Sequence, residues 1–337
     1  MRIYNQLSEF NKLANAVVTI GTFDGVHFGH QKIIKRLCEL AKSSGGESVL
    51  LTFFPHPRMI IDPENQDLKM INTINEKAQI LASLGVDHLI ITPFTRDFSN
   101  LSATDYIKNI LVDAIGTKKI IIGYDHRFGK DRLGNIQTLA ENATHYGYQV
   151  EEIPEQDIND VAVSSTKVRN ALLDGDVALA NEYLGYSFSI YGPVIKGDKI
   201  GRTIGFPTAN IFVAETYKLI PGDGIYAVTV EMELAVEGQK SKDENEEDVL
   251  NGTPSTLNPT PSTFTGMAYI GQRPTINGMT RNIEVNIFDF DREIYGQNIK
   301  MNFLAFLRHD VKFTGLEALK VQLQQDKKDT LAFFEGV

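Results

Sequence analysis

The chain has 337 residues, 42% hydrophobic and 23% charged, enough for about two domains that each bury a core. Its net charge of −10 is concentrated: residues 231–250 hold eight acidic residues and two Lys, leaving −4 over the other 317, which argues against a broad nucleic-acid surface. A single cysteine, Cys38, excludes an intrachain disulfide and a Cys-based zinc site, and the longest apolar runs are far too short to span a bilayer. A cytoplasmic chain without nucleic-acid or membrane partners is expected.

Up to residue 186 short apolar runs alternate with amphipathic segments, the pattern of βαβ units around a parallel sheet. Residues 16–21 predict a first strand. Ile33, Ile34, Leu37, Cys38 and Ala41 then recur at helical spacing, and Gly45-Gly46 ends that helix. Further strands are predicted over 48–54, 87–92, 118–122 and 148–153. Helices are predicted over 104–115, where Ser102 and Asp105 resemble a capping box, and over 133–146, 165–173 and 177–184. After Gly185 the period changes. Runs at 187–195, 209–213, 225–231, 264–270, 282–288 and 299–307, separated by turn residues, predict a six-stranded antiparallel barrel, with a final helix over 316–334. The domains are therefore read as 1–186 and 187–337. Residues 233–262, acidic and then rich in Asn, Thr, Ser and Pro, read as a disordered insertion that contributes neither core nor site.

Three strings in the first half carry chemistry. Gly21-Thr-Phe-Asp-Gly-Val-His-Phe-Gly-His30 joins the first strand to the first helix, where an open α/β sheet receives anionic ligands. His27 and His30 can both face that mouth, and Gly29 leaves room for a phosphate; the plainer reading makes both histidines N-terminal turn residues bonded to carbonyls. Gly123-Tyr-Asp-His-Arg-Phe-Gly129 follows another strand, with Asp125 available to ribose hydroxyls and Arg127 to phosphate, or else forming a surface ion pair. Ser164-Ser-Thr-Lys-Val-Arg169 opens a helix, so its hydroxyls and free N–H groups can cradle an anion beside Lys167 and Arg169, unless it is an ordinary N-cap.

Together these strings resemble the nucleotidylyltransferase superfamily, and more closely the FMN adenylyltransferase module of prokaryotic FAD synthetases. Phe53-Phe-Pro-His-Pro57, by itself a rigid turn, helps in that family to shape the dinucleotide cleft and belongs to the same resemblance. It implies a Rossmann-like domain in which Gly21, Phe23, Asp24, Gly29, Asp125, Arg127, Ser164, Ser165, Thr166, Lys167 and Arg169 surround ATP. His27 and His30 would handle the triphosphate as catalytic residues, and Lys167 and Arg169 the leaving pyrophosphate. Position 126 departs from the pattern, with His where Phe is usual.

In the second half, the stretch 192–210 is glycine-rich and ends in Pro-Thr-Ala-Asn210. Thr208 and Asn210 alternate to one face, so both oxygens can meet one cation, although a Gly-rich hairpin explains the stretch as well. Glu284 lies on a predicted strand where Ile283, Val285 and Ile287 take the opposite face; a lone strand Glu is ordinarily solvated. These residues, with Pro221-Gly-Asp-Gly-Ile-Tyr226 and Ile270-Gly-Gln-Arg-Pro-Thr275, are similar in order to the riboflavin kinase barrel. The resemblance implies that Gly197, Gly201, Arg202, Thr208 and Asn210 bind ATP phosphates, that Thr208 and Asn210 hold Mg²⁺, and that Glu284 accepts the proton of the riboflavin 5′-hydroxyl. Tyr269 stands where that family often has Asn. The whole implies a bifunctional enzyme with riboflavin, FMN and ATP as small-molecule substrates, no tightly bound prosthetic group, and a monomer or weak homo-oligomer. The alternatives are a chain with one activity only, or a non-catalytic flavin-binding regulator.

Overall fold

A computed structural model describes residues 1–64, 68–154, 163–197, 200–233, 262–272 and 281–336. The insertion at 233–262 lies outside them save for its end residues, as do residues 273–275 of the Ile270–Thr275 string. The chain forms two compact units. One comprises Met1–Leu172, Leu179–Tyr186 and Glu215–Leu219; the other comprises Leu173–Ala178, Ser187–Ala214 and Ile220–Val337. Each unit thus takes a short piece from beyond the single boundary at 187 that the sequence suggests.

The first unit is built on β1 (Arg2–Tyr4), β2 (Ala16–Ile20), β3 (Glu47–Phe53), β4 (His88–Thr92), β5 (Thr117–Gly123) and β6 (Gln149–Ile153). They form one parallel sheet in the order β1-β4-β3-β2-β5-β6. Side chains alternate across the strands. Ala16, Val18 and Ile20 of β2 join a core with Tyr106, Ile107 and Ile110, while Val17 faces Ile34, Leu37 and Leu81 on the other side. Helices Phe28–Ser43 and Ile74–Ser83 supply the second layer. Five strands were expected, and β1 is the sixth. It is three residues long and largely exposed, so it has no apolar period to betray it. Ile74–Ser83 also escaped the periodicity, although Thr73 and Glu76 form a complete capping box at its start. Ala103–Asp105 opens under Ser102, whose Oγ accepts from the Asp105 amide at 3.0 Å, and continues as wide π-helical turns over Tyr106–Ile115.

The second unit is a closed antiparallel barrel of β7 (Ser189–Ile195), β8 (Ala209–Ile211), β9 (Gly224–Met232), β10 (Ser262–Gly271), β11 (Asn282–Ile287) and β12 (Asn298–Arg308), ordered β10-β11-β8-β7-β12-β9. Helix Leu316–Glu335 packs on it, fastened where Asp326 receives Arg308 through Nε at 2.7 Å and Nη2 at 2.6 Å. On the face of β11 that carries Glu284, Asn286 is buried, and Phe288 just beyond the strand is buried too, clustering with Phe206, Met267 and Leu323 of that helix. Among the described residues no helix is long and apolar enough to cross a membrane.

Candidate functional sites of the two units

The carboxyl ends of β2, β3, β4 and β5 open onto a cleft of about 880 Å³ in the first unit. Parallel strands all deliver their following loops to the same edge, which is why strings scattered over 150 residues can meet there. Of the residues singled out in the sequence, Gly21, Phe23, Asp24, His27, Gly29 and His30 line it, and so do Asp125, Arg127, Ser165, Thr166 and Arg169. Ser164 and Lys167 do not. Helix Ser165–Leu173 turns the half-buried Ser165 and Arg169 inward, with exposed Thr166 at the cleft edge, and leaves Ser164 and Lys167 outside it, where Ser164 Oγ caps the Lys167 amide at 3.3 Å.

His27 is the N-cap of helix Phe28–Ser43 and only 5% exposed. Its ring stacks on that of His30, with centroids 3.8 Å apart, and Phe23 meets His30 edge-on at 5.1 Å. Burial pushes His27 down to about 4, with Arg169 lowering it further and its own backbone hydrogen bond opposing. His30 is driven well below the usual imidazole range by burial first, then by His27 and Lys77. Both rings are therefore neutral at pH 7, and the Nδ1 of His30 is buried without a hydrogen-bond partner among the described residues, while that of His27 has at most a strained contact with its own backbone. The plainer reading, in which the rings are tied to carbonyls, does not hold for His30 Nδ1.

Asp24 is not an open acceptor. Its side chain is 2% exposed, with Oδ1 accepting from the Ile71 amide at 3.0 Å and Oδ2 from Arg169 Nη2 at 2.6 Å. Arg169 also donates Nε to Lys69 O at 2.9 Å, so it reaches the cleft from a fixed seat. Asp125 and Arg127 are exposed on their loop, and no ion pair joins them. His126 stacks on Phe128 at 5.9 Å; burial, then Arg132 and Arg127, hold it at about 4, and its Nε2 is buried without a partner among the described residues.

Of four further groups here, sequence reasoning placed His56 only through its string and missed the three arginines. His56 caps helix Pro57–Ile61, lines the cleft, and is pushed to about 4 by burial and then by Lys77, Arg169 and Arg58. Arg58, Arg96 and Arg132 line the same cleft. The Pro-His-Pro string marks the turn that presents His56 and Arg58, but not the side to which they point.

In the second unit the register of β8 on β11 puts Asn210 opposite Glu284. Thr208 Oγ1 donates to Glu284 Oε2 at 3.0 Å, and Asn282 Nδ2 donates to Oε1. Glu284 is thus oriented from two sides, not merely solvated. A Cβ at Gly197 would collide with the Asn210 amide, and one at Gly201 with the carbonyl of Phe206, so both positions exclude a side chain. Thr208 and Arg202 line a small adjoining pocket with Pro207, Ile294 and Tyr295. Tyr269 lies opposite Glu284 across β10–β11 and its hydroxyl bonds Asp310 Oδ2 at 3.0 Å.

The chain matches two family models in succession, FAD synthetase over residues 9–167 and riboflavin kinase over residues 184–334. The bifunctional riboflavin kinase/FMN adenylyltransferase of Listeria monocytogenes is 38% identical over 321 residues, 95% of this chain and 93% of its own. The protein of the same description from Haemophilus influenzae is 33% identical over 337 residues and the full length of both chains. A solved chain from Streptococcus pneumoniae, described as a macrolide-efflux protein, superposes with a TM-score of 0.79 at 29% identity over 98% of each. That description fits neither family model. On these matches the chain belongs to the bifunctional riboflavin kinase/FMN adenylyltransferase family.

Proposed function

We propose that the chain makes FAD in two steps: its second unit phosphorylates riboflavin with ATP to FMN, and its first unit adenylylates FMN with a second ATP. The observation that carries this reading is that each unit assembles its own site from residues distant in sequence: His27, His30 and Arg169 in one, Thr208, Asn210 and Glu284 in the other.

In the first unit an oxygen of the FMN phosphate attacks the α-phosphorus of ATP, the bond to the β-phosphate oxygen breaks, and pyrophosphate leaves. No protein nucleophile is needed, so catalysis is positioning and charge stabilisation. The neutral state of His27 and His30 makes them N–H donors to the triphosphate and not cations. Positive charge comes instead from Arg169, Arg127, Arg58 and Arg132, which line the cleft. Ser165 and Thr166 offer the start of their helix to the phosphates, and exposed Lys167 meets the departing pyrophosphate at the rim.

In the second unit Glu284 takes the proton of the riboflavin 5′-hydroxyl as that oxygen bonds the γ-phosphorus, and ADP leaves. The two donors that Glu284 accepts hold its carboxylate in one orientation. Thr208 and Asn210 fit Mg²⁺ because they place hard neutral oxygens beside that carboxylate. Among the described residues no group of three His, Cys, Asp or Glu offers an all-protein cage, so the ion would share Thr208 and Asn210 with ATP phosphates. When bound it supplies charge neutralisation of those phosphates.

Incubation with riboflavin, ATP and Mg²⁺, followed by chromatography, should yield FMN and then FAD. Glu284→Ala should stop FMN formation and leave FAD formation from supplied FMN. His27→Ala combined with His30→Ala should let FMN accumulate. If either variant, still folded, loses both steps, the two-site reading is wrong.

A further inference from the structure

The loop that delivers His27 is held from outside itself. Between Gly21 and His27 the backbone passes through two non-glycine residues of positive φ, Phe23 (44°) and Val26 (37°), as well as Gly25 (83°). Such conformations persist only where the surroundings over-determine them. Here the hold is a row of carbonyls, each taken by a side chain of another element. Thr22 O accepts from Lys77 Nζ at 2.6 Å and more loosely from Thr52 Oγ1 at 3.3 Å, and Asp24 O accepts from Ser165 Oγ at 2.9 Å. Gly25 O accepts from the Tyr186 hydroxyl at 2.7 Å, and Val26 O from Gln31 Nε2 at 2.8 Å. Phe23 O takes the Val26 amide at 3.3 Å.

Lys77 is the one charged member of this row. It comes from helix Ile74–Ser83 and is only 6% exposed. Of its three N–H donors, one is matched: Thr22 O is the only acceptor its ammonium meets among the described residues. The groups around it give little compensation. Asp24, from the loop after β2, is already committed to Arg169 and the Ile71 amide. His30, on helix Phe28–Ser43, and His56, after β3, are neutral neighbours whose protonation Lys77 opposes. Arg169, on Ser165–Leu173, is a further cation, and Glu76, the adjacent residue of its own helix, is paired with Lys218 at 2.6 Å. A buried ammonium so placed is costly until a negative charge arrives.

Resting on the adenylyl-transfer reading of the first unit, we propose that Lys77 is a positioning residue of that site. Its ammonium is the shorter and the charged one of the two donors that fix the Thr22 carbonyl, and with it the strained turn that aims His27 and His30, and it does so most firmly when polyphosphate fills the cleft. Burial lowers Lys77 to about 8, with Asp24 raising it only in part. In the free enzyme the ammonium therefore loses its proton in mildly alkaline solution, whereas bound polyphosphate retains it. The expected signature is a fall of kcat/KM for ATP above about pH 8, with kcat holding level to higher pH.

The test follows FAD formation from FMN and ATP by the full chain between about pH 6.5 and 9.5, with riboflavin kinase activity and thermal melting measured on the same samples. Lys77→Met should lose about tenfold or more in kcat/KM for ATP at pH 7 and show no decline between pH 8 and 9. Lys77→Arg, whose charge does not titrate there, should keep the neutral-pH rate within about threefold and also lose the alkaline decline. Kinase activity should be unchanged in both. Retention of the wild-type decline in either variant, a Lys77→Met rate within about twofold of wild type, or an equal loss in both folded variants would overturn the proposal. If Lys77→Met fails to melt cooperatively, Lys77→Arg decides by the same decline. A wild-type chain that makes no FAD at any pH overturns the adenylyl-transfer reading itself, and this one with it.

Discussion

Acidification should disable the first unit before the second. Of the seven histidines, His27, His30, His56, His88, His126 and His145 belong to the first unit and only His309 to the second. Burial, foremost, holds His27, His56 and His126 at about 4, and His30 well below its ordinary value. In the unfolded chain each would take a proton near pH 6.5. The folded pKa lies below the unfolded one, so unfolding takes up protons in this range, and the stability present above about 6.5 is lost as the pH falls toward 4. At pH 5 the loss is about 2 kcal/mol for each of the three histidines, or about 6 kcal/mol together, and His30 adds in the same sense. That rivals the whole stability of an ordinary domain, about 5–15 kcal/mol. Far-UV circular dichroism melts at pH 7.5, 6 and 5, with both activities assayed on each sample, will read it. The expected outcome is a melting transition that moves down steeply with acid, and accumulation of FMN from riboflavin as FAD formation fails. An adenylyl-transfer unit that melts at the same temperature at pH 5 and 7.5 would refute the claim that these imidazoles are buried neutral.

Three smaller perturbations test particular contacts. His126→Phe removes a buried, unpartnered Nε2 while keeping the stack on Phe128; it should stabilise the first unit by about 1 kcal/mol, a rise of roughly 2–4 °C in its melting temperature. Asp326→Ala leaves the Arg308 guanidinium without its buried partner and should cost the second unit about 3–5 kcal/mol, read as a lower kinase-inactivation temperature. Gly197→Ala drives a methyl group into the Asn210 amide; riboflavin kinase KM for Mg-ATP should rise about tenfold, with FAD formation from FMN untouched.

Much of the architecture was legible because it is written in local period. Strands β2 to β12 and helices Ser165–Leu173 and Val177–Leu184 fall where alternation and capping residues place them, to within a few residues. The elements missed are those whose signal is weak or was overlooked: three-residue β1, Ile74–Ser83 with its Thr73–Glu76 box, and single turns of helix such as Pro57–Ile61 and Arg96–Ser99. What covers the Glu284 face of β11 was not legible for a different reason. Periodicity tells that two faces differ, but not that helix Leu316–Glu335 will return to cover the second one.

The sequence by itself determined the succession of a parallel α/β unit and an antiparallel barrel, and the strings that carry phosphate chemistry, because residue type and spacing are properties of neighbours along the chain. The tertiary structure alone decided what state those residues are in. Asp24 turned out to be the seat of Arg169, 145 positions away, and the His56 turn, which the resemblance places at the cleft, brought a neutral imidazole to it. Lys77 emerged as the charged donor to the Thr22 carbonyl, and His27 and His30 as neutral rings and not cations. Each of these depends on desolvation and on close approach between distant segments, and neither quantity exists until the chain has folded.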